Sequence, residues 1–215
     1  MKLTERTLTV LKNFASINNG LIIKEGSDQR TVSLTRDILA EATLDQEFPR
    51  EVPIYDLNGF LSMLSTFDES GEADIEFADN HMMITRGKRR MKYFYASPEV
   101  IFSAPDDLEL DKPEDRFALD IDDLKLIQKM ASYGLGDMTI KSNGKKIDLV
   151  VTSSETGSAN ELQIEVDSKL PKCNVTFDVG LMKVIPAEYD IGVNESTVYL
   201  SDGEDETRYW IVVTE

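Results

Sequence analysis

The residue types that perform catalysis are sparse in this sequence. It contains no GxxxxGK[ST] phosphate loop, no GxGxxG turn after a strand and no GxSxG nucleophile elbow. The lone histidine, His81, follows Asp79 and Asn80 in a polar, strand-like stretch, where a surface position is expected rather than a general base. The lone cysteine, Cys173, allows no disulfide within the chain, and one histidine with one cysteine provides no zinc ligand set. The pattern predicts a protein that is not an enzyme and holds no metal or other cofactor.

Carboxylates cluster in the segment 97–116, which also holds three of the seven prolines. Asp106, Asp107, Glu109 and Asp111 supply the oxygen atoms that divalent cations prefer as ligands. Carboxylates on an extended connector are expected to be solvated instead, so we predict no metal site here. A small nuclease or hydrolase that uses magnesium would need carboxylates converging in a cleft, and no motif indicates one.

A second group of reactive side chains is the basic run RGKRRMK at 86–92, at an expected hairpin between two strands. Its functional interpretation is contact with phosphate or with an acidic partner. The alternative is a charge cluster that keeps an edge strand soluble, and the sequence does not decide between them. The cations of this run are Arg86, Lys88, Arg89, Arg90 and Lys92.

The chain as a whole is strongly acidic, with a formal net charge of −17 over 215 residues. At long range such a molecule repels DNA and anionic membranes, so any contact with DNA must be local. No stretch approaches the roughly 20 apolar residues that a membrane span needs. We therefore expect a soluble protein of a reducing cytoplasm, with no membrane partner.

Helical spacing and turn residues predict the elements that carry these side chains. Helices are expected at 4–17 with Thr4 as N-cap, from Asp56 to about residue 64, near 121–134 and, as a short helix, at 178–185. The polar sequence EGSDQ at 25–29 is expected to be a turn. Strands are predicted near 21–24, 31–35, 38–44, 73–78, 81–86, 90–96, 161–166, 173–177, 188–193, 196–200 and 207–213, and on either side of a turn at 142–145.

The two halves of the chain repeat the order helix, strands, helix, strands. The second helix of each half opens with an aromatic, aspartate and aliphatic triplet, at 55–57 and at 177–179. A duplicated domain explains this order, and chance similarity between two α+β halves is the alternative. We predict an α+β fold with an N-terminal domain at 1–97, a connector at 98–116 and a C-terminal domain at 117–215.

The outward faces of the expected helices concentrate cations in this acidic chain. In the helix at 121–134, Leu124 and Ile127 share one face, and Lys125 and Lys129 lie almost opposite them. Lysines on the outer face of a helix usually contact only water, and this is the alternative. The first helix adds Arg6 and Lys12, the last short helix adds Lys183, and the second helix adds no cation.

Three segments have the most specific residues: MKLTERTLTVLKNFASINNG at 1–20, VPIYDLNGFLSMLS at 52–65 and TFDVGLMKVIPAEYDI at 176–191. In residues and spacing they resemble the sliding clamps of T-even-type bacteriophages, and the resemblance extends over nearly the whole chain. It implies a DNA-clamp fold, with two similar domains per chain, antiparallel sheets outside and two helices per domain lining a pore. It also implies that three copies assemble into a ring.

The resemblance implies a mechanism and partners. The ring would encircle duplex DNA and tether the replicative DNA polymerase in the cytoplasm of the infected bacterial host. An ATP-driven clamp loader would open it, and late-transcription factors would also bind it. The cations facing DNA would be Arg6, Lys12, Lys125, Lys129 and Lys183, with the 86–92 hairpin as an additional DNA or partner contact.

Partner peptides would dock in a hydrophobic pocket near the connector. Its candidate walls are Val100, Ile101, Phe102, Tyr209 and Trp210, and ordinary strand or linker packing is the alternative for each.

A function from another class stays open on the residues alone. An acidic adaptor, or a protein that mimics DNA, would bind a basic partner through its carboxylate surface. It would form no ring and would gather no lysines on one face.

Overall fold

A computed structural model describes residues 1–68, 72–153, 160–204 and 206–214. The chain divides into two compact units, one formed by Met1–Arg36 and Ala40–Asp106, the other by Asp37–Leu39 and Asp107–Glu215. The break between Asp106 and Asp107 lies within 98–116. Both units combine helix with antiparallel strands, as the α+β prediction requires.

The first unit begins with a helix and ends in a three-stranded hairpin sheet. Strand β1 pairs with β4, and a second sheet has the order β5-β6-β7. A two-residue turn, Gly87 and Lys88, joins β6 to β7, and Gly87 adopts a left-handed φ of 58°. In chain order the elements are α1 (Glu5–Ile17), β1 (Leu21–Ile23), β2 (Gly26–Val32), β3 (Ile38–Phe48), β4 (Val52–Ile54), α2 (Leu57–Phe67), β5 (Asp74–Phe77), β6 (His81–Arg86), β7 (Arg89–Phe94) and a 3₁₀ turn (Pro98–Val100).

The second unit contains two four-stranded antiparallel arrangements around one α-helix, within the residues described. The strand orders are β11-β10-β9-β12 and β8-β13-β14-β15. The elements are β8 (Arg116–Leu119), α3 (Ile121–Ser132), β9 (Asp137–Ser142), β10 (Ile147–Thr152), β11 (Glu161–Val166), β12 (Cys173–Asp178), a 3₁₀ turn (Val179–Leu181), β13 (Tyr189–Val193), β14 (Thr197–Asp202) and β15 (Thr207–Val212).

Side-chain caps determine where the helices begin. The Thr4 hydroxyl accepts from the Thr7 amide at 3.0 Å, and the Asp120 carboxylate accepts from the amides of Asp122 and Asp123 at 2.9 and 2.8 Å. Asp56 caps α2 in the same way, since its carboxylate accepts from the Gly59 amide at 2.8 Å. These caps confirm the predicted starts near residues 4, 56 and 121.

The segment predicted as a short helix at 178–185 is a single 3₁₀ turn at Val179–Leu181. The prediction of an α-helix there was wrong for a local reason. Gly180 and the β-branched Val179, Val184 and Ile185 all disfavour a helix, and Pro186 ends any that forms.

Three strand predictions also need correction. The predicted turn EGSDQ is mostly strand, because β2 already begins at Gly26. Strands β4 and β8 have only three and four residues, and the sequence pattern did not indicate them.

Candidate nucleic-acid interface

Helix α3 presents two lysines to solvent from a firmly anchored position. Leu124 and Ile127 are fully buried, whereas Lys125 and Lys129 are exposed on the other side of the helix. Lys129 lies in the last turn, where a positive charge is favourable near the negative end of the helix dipole. The structure therefore confirms the predicted division of α3 into an apolar face and a cationic face.

The first turn of α3 is acidic, so the exposed face changes sign along the helix. Asp122 and Asp123 both follow the Asp120 cap. Partial burial raises the pKa of Asp123, and the neighbouring carboxylates of Asp120 and Asp122 raise it further. Positive charge on this face is thus confined to the middle and the end of the helix.

Lys183 is exposed and lies in the segment that packs against α3. The Gln128 side-chain amide donates to the Met182 carbonyl at 2.9 Å, which ties α3 to the residue next to Lys183. This contact brings Lys183 close to the helix that carries Lys125 and Lys129, although Lys183 itself is not on a helix.

In the first unit, α1 and α2 pack side by side, and Lys12 is exposed on α1. The Asn58 side chain of α2 donates to the Ala15 carbonyl of α1 at 3.2 Å. Arg6 is half-buried, and its guanidinium donates to the Thr43 carbonyl of β3 at 3.4 Å. Lys12 is therefore better placed than Arg6 to meet a ligand in solution.

Helix α2 carries no cation, as its sequence indicates. Its exposed face is made of hydroxyl side chains that bond to their own helix. Ser65 and Thr66 each donate to the Ser62 carbonyl at 2.9 Å. The contribution of this helix to a DNA-facing surface would be polar and uncharged.

A cavity of about 190 Å³ lies between α1 and α2. Its walls are mainly apolar, and Lys12, Ser65 and Asp68 supply its polar atoms. No sequence motif indicated this cavity, because it depends on how two helices and β5 pack together. Its lining residues are Leu3, Leu8, Lys12, Leu61, Leu64, Ser65, Asp68, Ala73 and Ile75.

The basic hairpin of β6 and β7 separates into one internal cation and four exposed ones. Arg86 Nε lies 3.3 Å from the carboxylate of Asp68, whose side chain is 4% exposed, and Arg86 also donates to the Phe67 carbonyl at 3.4 Å. Arg86 thus supports the end of α2 instead of facing a ligand. The four exposed cations are Lys88, Arg89, Arg90 and Lys92.

The pocket residues predicted in the first unit differ in exposure. Val100 is 59% exposed and Ile101 is 7% exposed. Phe102 is half-buried under the guanidinium of Arg36, which lies 5.5 Å from the ring centroid. Val100 and Phe102 therefore offer surface to a partner, and Ile101 is core.

The pocket residues predicted in the second unit are core residues. Tyr209 is fully buried, and its hydroxyl accepts from the Ile185 amide at 3.2 Å. Trp210 packs on Tyr199 at 5.1 Å between ring centroids, and its indole N–H donates to the Asp111 carbonyl at 3.0 Å. Their contacts agree with the alternative of ordinary strand packing.

His81 and the carboxylates form no recognisable catalytic or metal arrangement. The ring nitrogen Nδ1 of His81 lies 2.8 Å from the Asn80 side-chain oxygen, at the surface. Among the described residues, no group of three or more His, Cys, Asp or Glu side chains converges in a way that could hold a metal ion. In the same part of the chain, no helix is both long and apolar enough to cross a membrane.

The comparisons with known proteins agree with this architecture. The family model described as DNA polymerase processivity factor matches residues 2–101. The sliding clamp of Vibrio phage KVP40 is 30% identical over 172 residues, covering 78% of this chain and 76% of the phage protein. The sliding clamp of Escherichia phage RB69 is 29% identical over 208 residues, covering 89% and 86% of the two chains.

A solved structure supports the fold independently of sequence. The putative DNA polymerase III β subunit of Eubacterium rectale matches with a TM-score of 0.74 at 15% identity. The match covers 100% of this chain and 65% of that protein. At this identity the likeness shows the fold alone.

Two α+β units of antiparallel strands, with lysines on an exposed helix face, define a protein of the DNA-clamp class. Within that class, the sequence matches decide the family. The chain belongs to the family of sliding clamps, the DNA polymerase processivity factors, of T-even-type bacteriophages.

Proposed function

We propose that three copies of this protein form a closed ring that encircles duplex DNA and tethers a replicative DNA polymerase. The observation that carries the proposal is the cationic face of α3. Lys125 and Lys129 are exposed opposite fully buried Leu124 and Ile127, in a chain whose formal net charge is −17. Family membership supports the same function.

The DNA-facing surface would comprise the exposed Lys12, Lys125, Lys129 and Lys183, with Arg6 as a partly engaged neighbour. These cations are few, and this suits a protein that must slide. Each phosphate neutralised adds about 0.9 to the slope of log affinity against log salt concentration, so many tight contacts would hold the ring in place. The negative charge elsewhere opposes binding from solution and leaves encirclement to hold the ring on DNA.

The ring itself would perform no chemistry and need no cofactor. An ATP-driven clamp loader would open it on DNA in the cytoplasm of the infected host. The DNA polymerase and late-transcription factors would bind it through short, partly apolar peptides. Val100 and Phe102 are the candidate residues that have surface available for such a peptide.

The domain limits proposed for this function are 1–97 and 117–215, joined by the connector 98–116. Each domain would contribute a helix face to the hole of the ring. In the second domain that face would be α3 together with the segment around Lys183.

The double substitution Lys125→Glu and Lys129→Glu tests the DNA-facing assignment. We expect processive synthesis by the cognate polymerase to fall, while the solution mass stays that of three copies. For two lost phosphate contacts, the salt dependence of clamp retention on DNA should decrease by a slope of about 1.8.

A matched control is Lys141→Glu with Lys145→Glu. Both lysines are exposed in the same unit, on β9 and on the turn after it, away from α3. This control makes the same change of charge and should leave processivity unchanged. Equal effects of the two double variants, or no effect of either, would contradict the assignment of α3.

A further inference from the structure

Strand β7 is an edge strand with an unusual distribution of charge. It pairs only with β6 in its three-stranded sheet, so one row of its backbone N–H and C=O groups faces away from that sheet. Its side chains alternate between an exposed face with Arg90, Lys92 and Phe94 and a half-buried face with Met91 and Tyr93.

The exposed cations of this edge have no counter-ion within the described chain. Lys88, Arg89, Arg90 and Lys92 form no ion pair with any described residue, in contrast to Arg86. The Lys92 ammonium lies 5.6 Å from the ring centroid of Phe94, which is itself 61% exposed. The edge therefore presents positive charge and an aromatic ring together.

Strand β11, in the second unit, is an edge strand of the opposite sign. It pairs only with β10, and it has the same length of six residues as β7. Glu161, Gln163 and Glu165 are exposed on one face, while Leu162 and Ile164 are half-buried on the other.

One acid of this edge is already partly neutralised. The Lys146 ammonium lies 2.5 Å from the Glu165 carboxylate, and both groups are near solvent. Glu161 has no ion-pair partner among the described residues, and the exposed Asp167 continues the acidic row beyond the strand. The edge keeps a net negative charge.

We propose that β7 of one copy pairs with β11 of a second copy, and that opposite charge selects this pairing. The proposal rests on the ring function given above and specifies which surfaces join the copies. In a strand the side chains alternate, so a pairing that joins the half-buried apolar faces also places the charged faces side by side. Directly opposite side chains in antiparallel strands have Cβ atoms about 4.5–5.5 Å apart, within reach of ion pairing.

The half-buried residues favour a protein partner over DNA for this edge. Phosphate contact would use the cations of β7, but it would leave Met91 and Tyr93 half-exposed and would not involve β11. A second copy covers both apolar rows and completes both sheet edges. Since each copy carries one edge of each sign, the contact is head to tail and can close a ring.

Charge reversal tests this assignment. In the variant Arg90→Glu with Lys92→Glu, two acidic edges face each other, and so we expect the dissociation constant of the ring to rise at least about tenfold. The variant Glu161→Lys with Glu165→Lys should weaken assembly for the same reason, because two basic edges then meet. The chain with all four substitutions has complementary edges again and should recover most of the assembly.

The measurement is solution mass against protein concentration by analytical ultracentrifugation, with circular dichroism to check folding. A control variant, Asp74→Lys with Glu76→Lys, reverses charge on β5, the other edge of the same sheet, and should leave the mass unchanged. Wild-type protein should also dissociate more readily as salt increases, because exposed ion pairs are screened. This titration needs no substituted chain.

Two results would overturn the inference while leaving the proposed function intact. The first is a wild-type ring whose mass is indifferent both to charge reversal and to salt. The second is unchanged mass with lost retention on DNA, which would assign the β7 cations to phosphate. A wild-type chain that is monomeric at every concentration and does not stay on circular DNA would instead contradict the ring function itself.

Discussion

Asp56 shows how a single carboxylate controls the start of a helix. It accepts a hydrogen bond from the Gly59 amide at 2.8 Å and another from the Asn19 side chain at 3.0 Å. A Cβ atom on Gly59 would lie 2.2 Å from the Asp56 carboxylate, so glycine is the residue that leaves room for this cap. The hydrogen bonds, the one from Gly59 first, lower the pKa of Asp56 below its usual value of 3.8.

The lowered pKa gives a pH prediction. A carboxyl whose pKa is lower in the folded state stabilises the fold above the unfolded pKa, and this stabilisation is lost as pH falls through the folded pKa. We expect Asp56→Asn, which still caps but does not titrate, to lose less of its melting temperature than wild type as the pH falls below about 3.8.

The control for this prediction is Asp74→Asn. Asp74 is exposed and has no hydrogen-bond partner within the described residues, so it isolates the general effect of removing one negative charge. Thermal melts at a series of pH values compare the two variants with wild type. The same pH dependence in both variants would show that the Asp56 hydrogen bonds do not matter.

Residue-level predictions succeeded where the signal was local. The spacing of Lys125 and Lys129 from Leu124 and Ile127 was sufficient to predict which side of the helix is exposed, because it follows from 3.6 residues per turn. The pairing of Arg86 with Asp68 was not predicted, since nothing in the sequence connects residues that meet only through packing. Tyr209 and Trp210 were proposed as pocket walls because of their aromatic character, and that character serves equally in a core.

At the scale of elements, the helices were predictable because their caps and apolar stripes are both local. Helices α1, α2 and α3 begin next to Thr4, Asp56 and Asp120. The segment after Asp178 has a similar cap, since its carboxylate accepts from the Gly180 amide at 2.7 Å, but it lacks helix-forming residues. Capping alone did not make it an α-helix.

Strand pairings were less accessible to sequence. The alternation in β11 marks a strand with one apolar face, but it does not identify β10 as its neighbour or the other edge as open. The short β4 and β8 are defined by their partners, β1 and β13, more than by their own residues. The complementary charges of β7 and β11 became visible only when both strands proved to be edges.

Helix α3 also gives a stability prediction. Ile127→Ala should lower the free energy of unfolding of the second unit by about 2–5 kcal/mol, because it leaves a cavity at a fully buried position. Lys125→Ala, two residues earlier on the exposed face, should change it by less than about 0.5 kcal/mol.

Trp210 provides the readout, since it is the only tryptophan of the chain and is buried in the same unit as α3. Denaturant titration followed by its fluorescence gives both values. Equal losses in the two variants would contradict the division of α3 into a buried and an exposed face.

For the whole molecule, net charge and function pull in opposite directions. A formal charge of −17 argues against affinity for DNA, yet the family is that of DNA polymerase processivity factors. Encirclement resolves the conflict, since a closed ring stays on DNA without strong contacts. Composition could not reveal this, because topology is a property of the assembly and not of any residue.

Retention on DNA of different topology tests that central claim most directly. The protein would be placed on nicked circular DNA by the ATP-driven loader of a related phage, separated from free protein, and followed before and after one cut makes the DNA linear. We predict stable retention on the circle and rapid loss from the linear form at moderate salt. Equal retention on circular and linear DNA would contradict a ring that holds DNA by enclosing it.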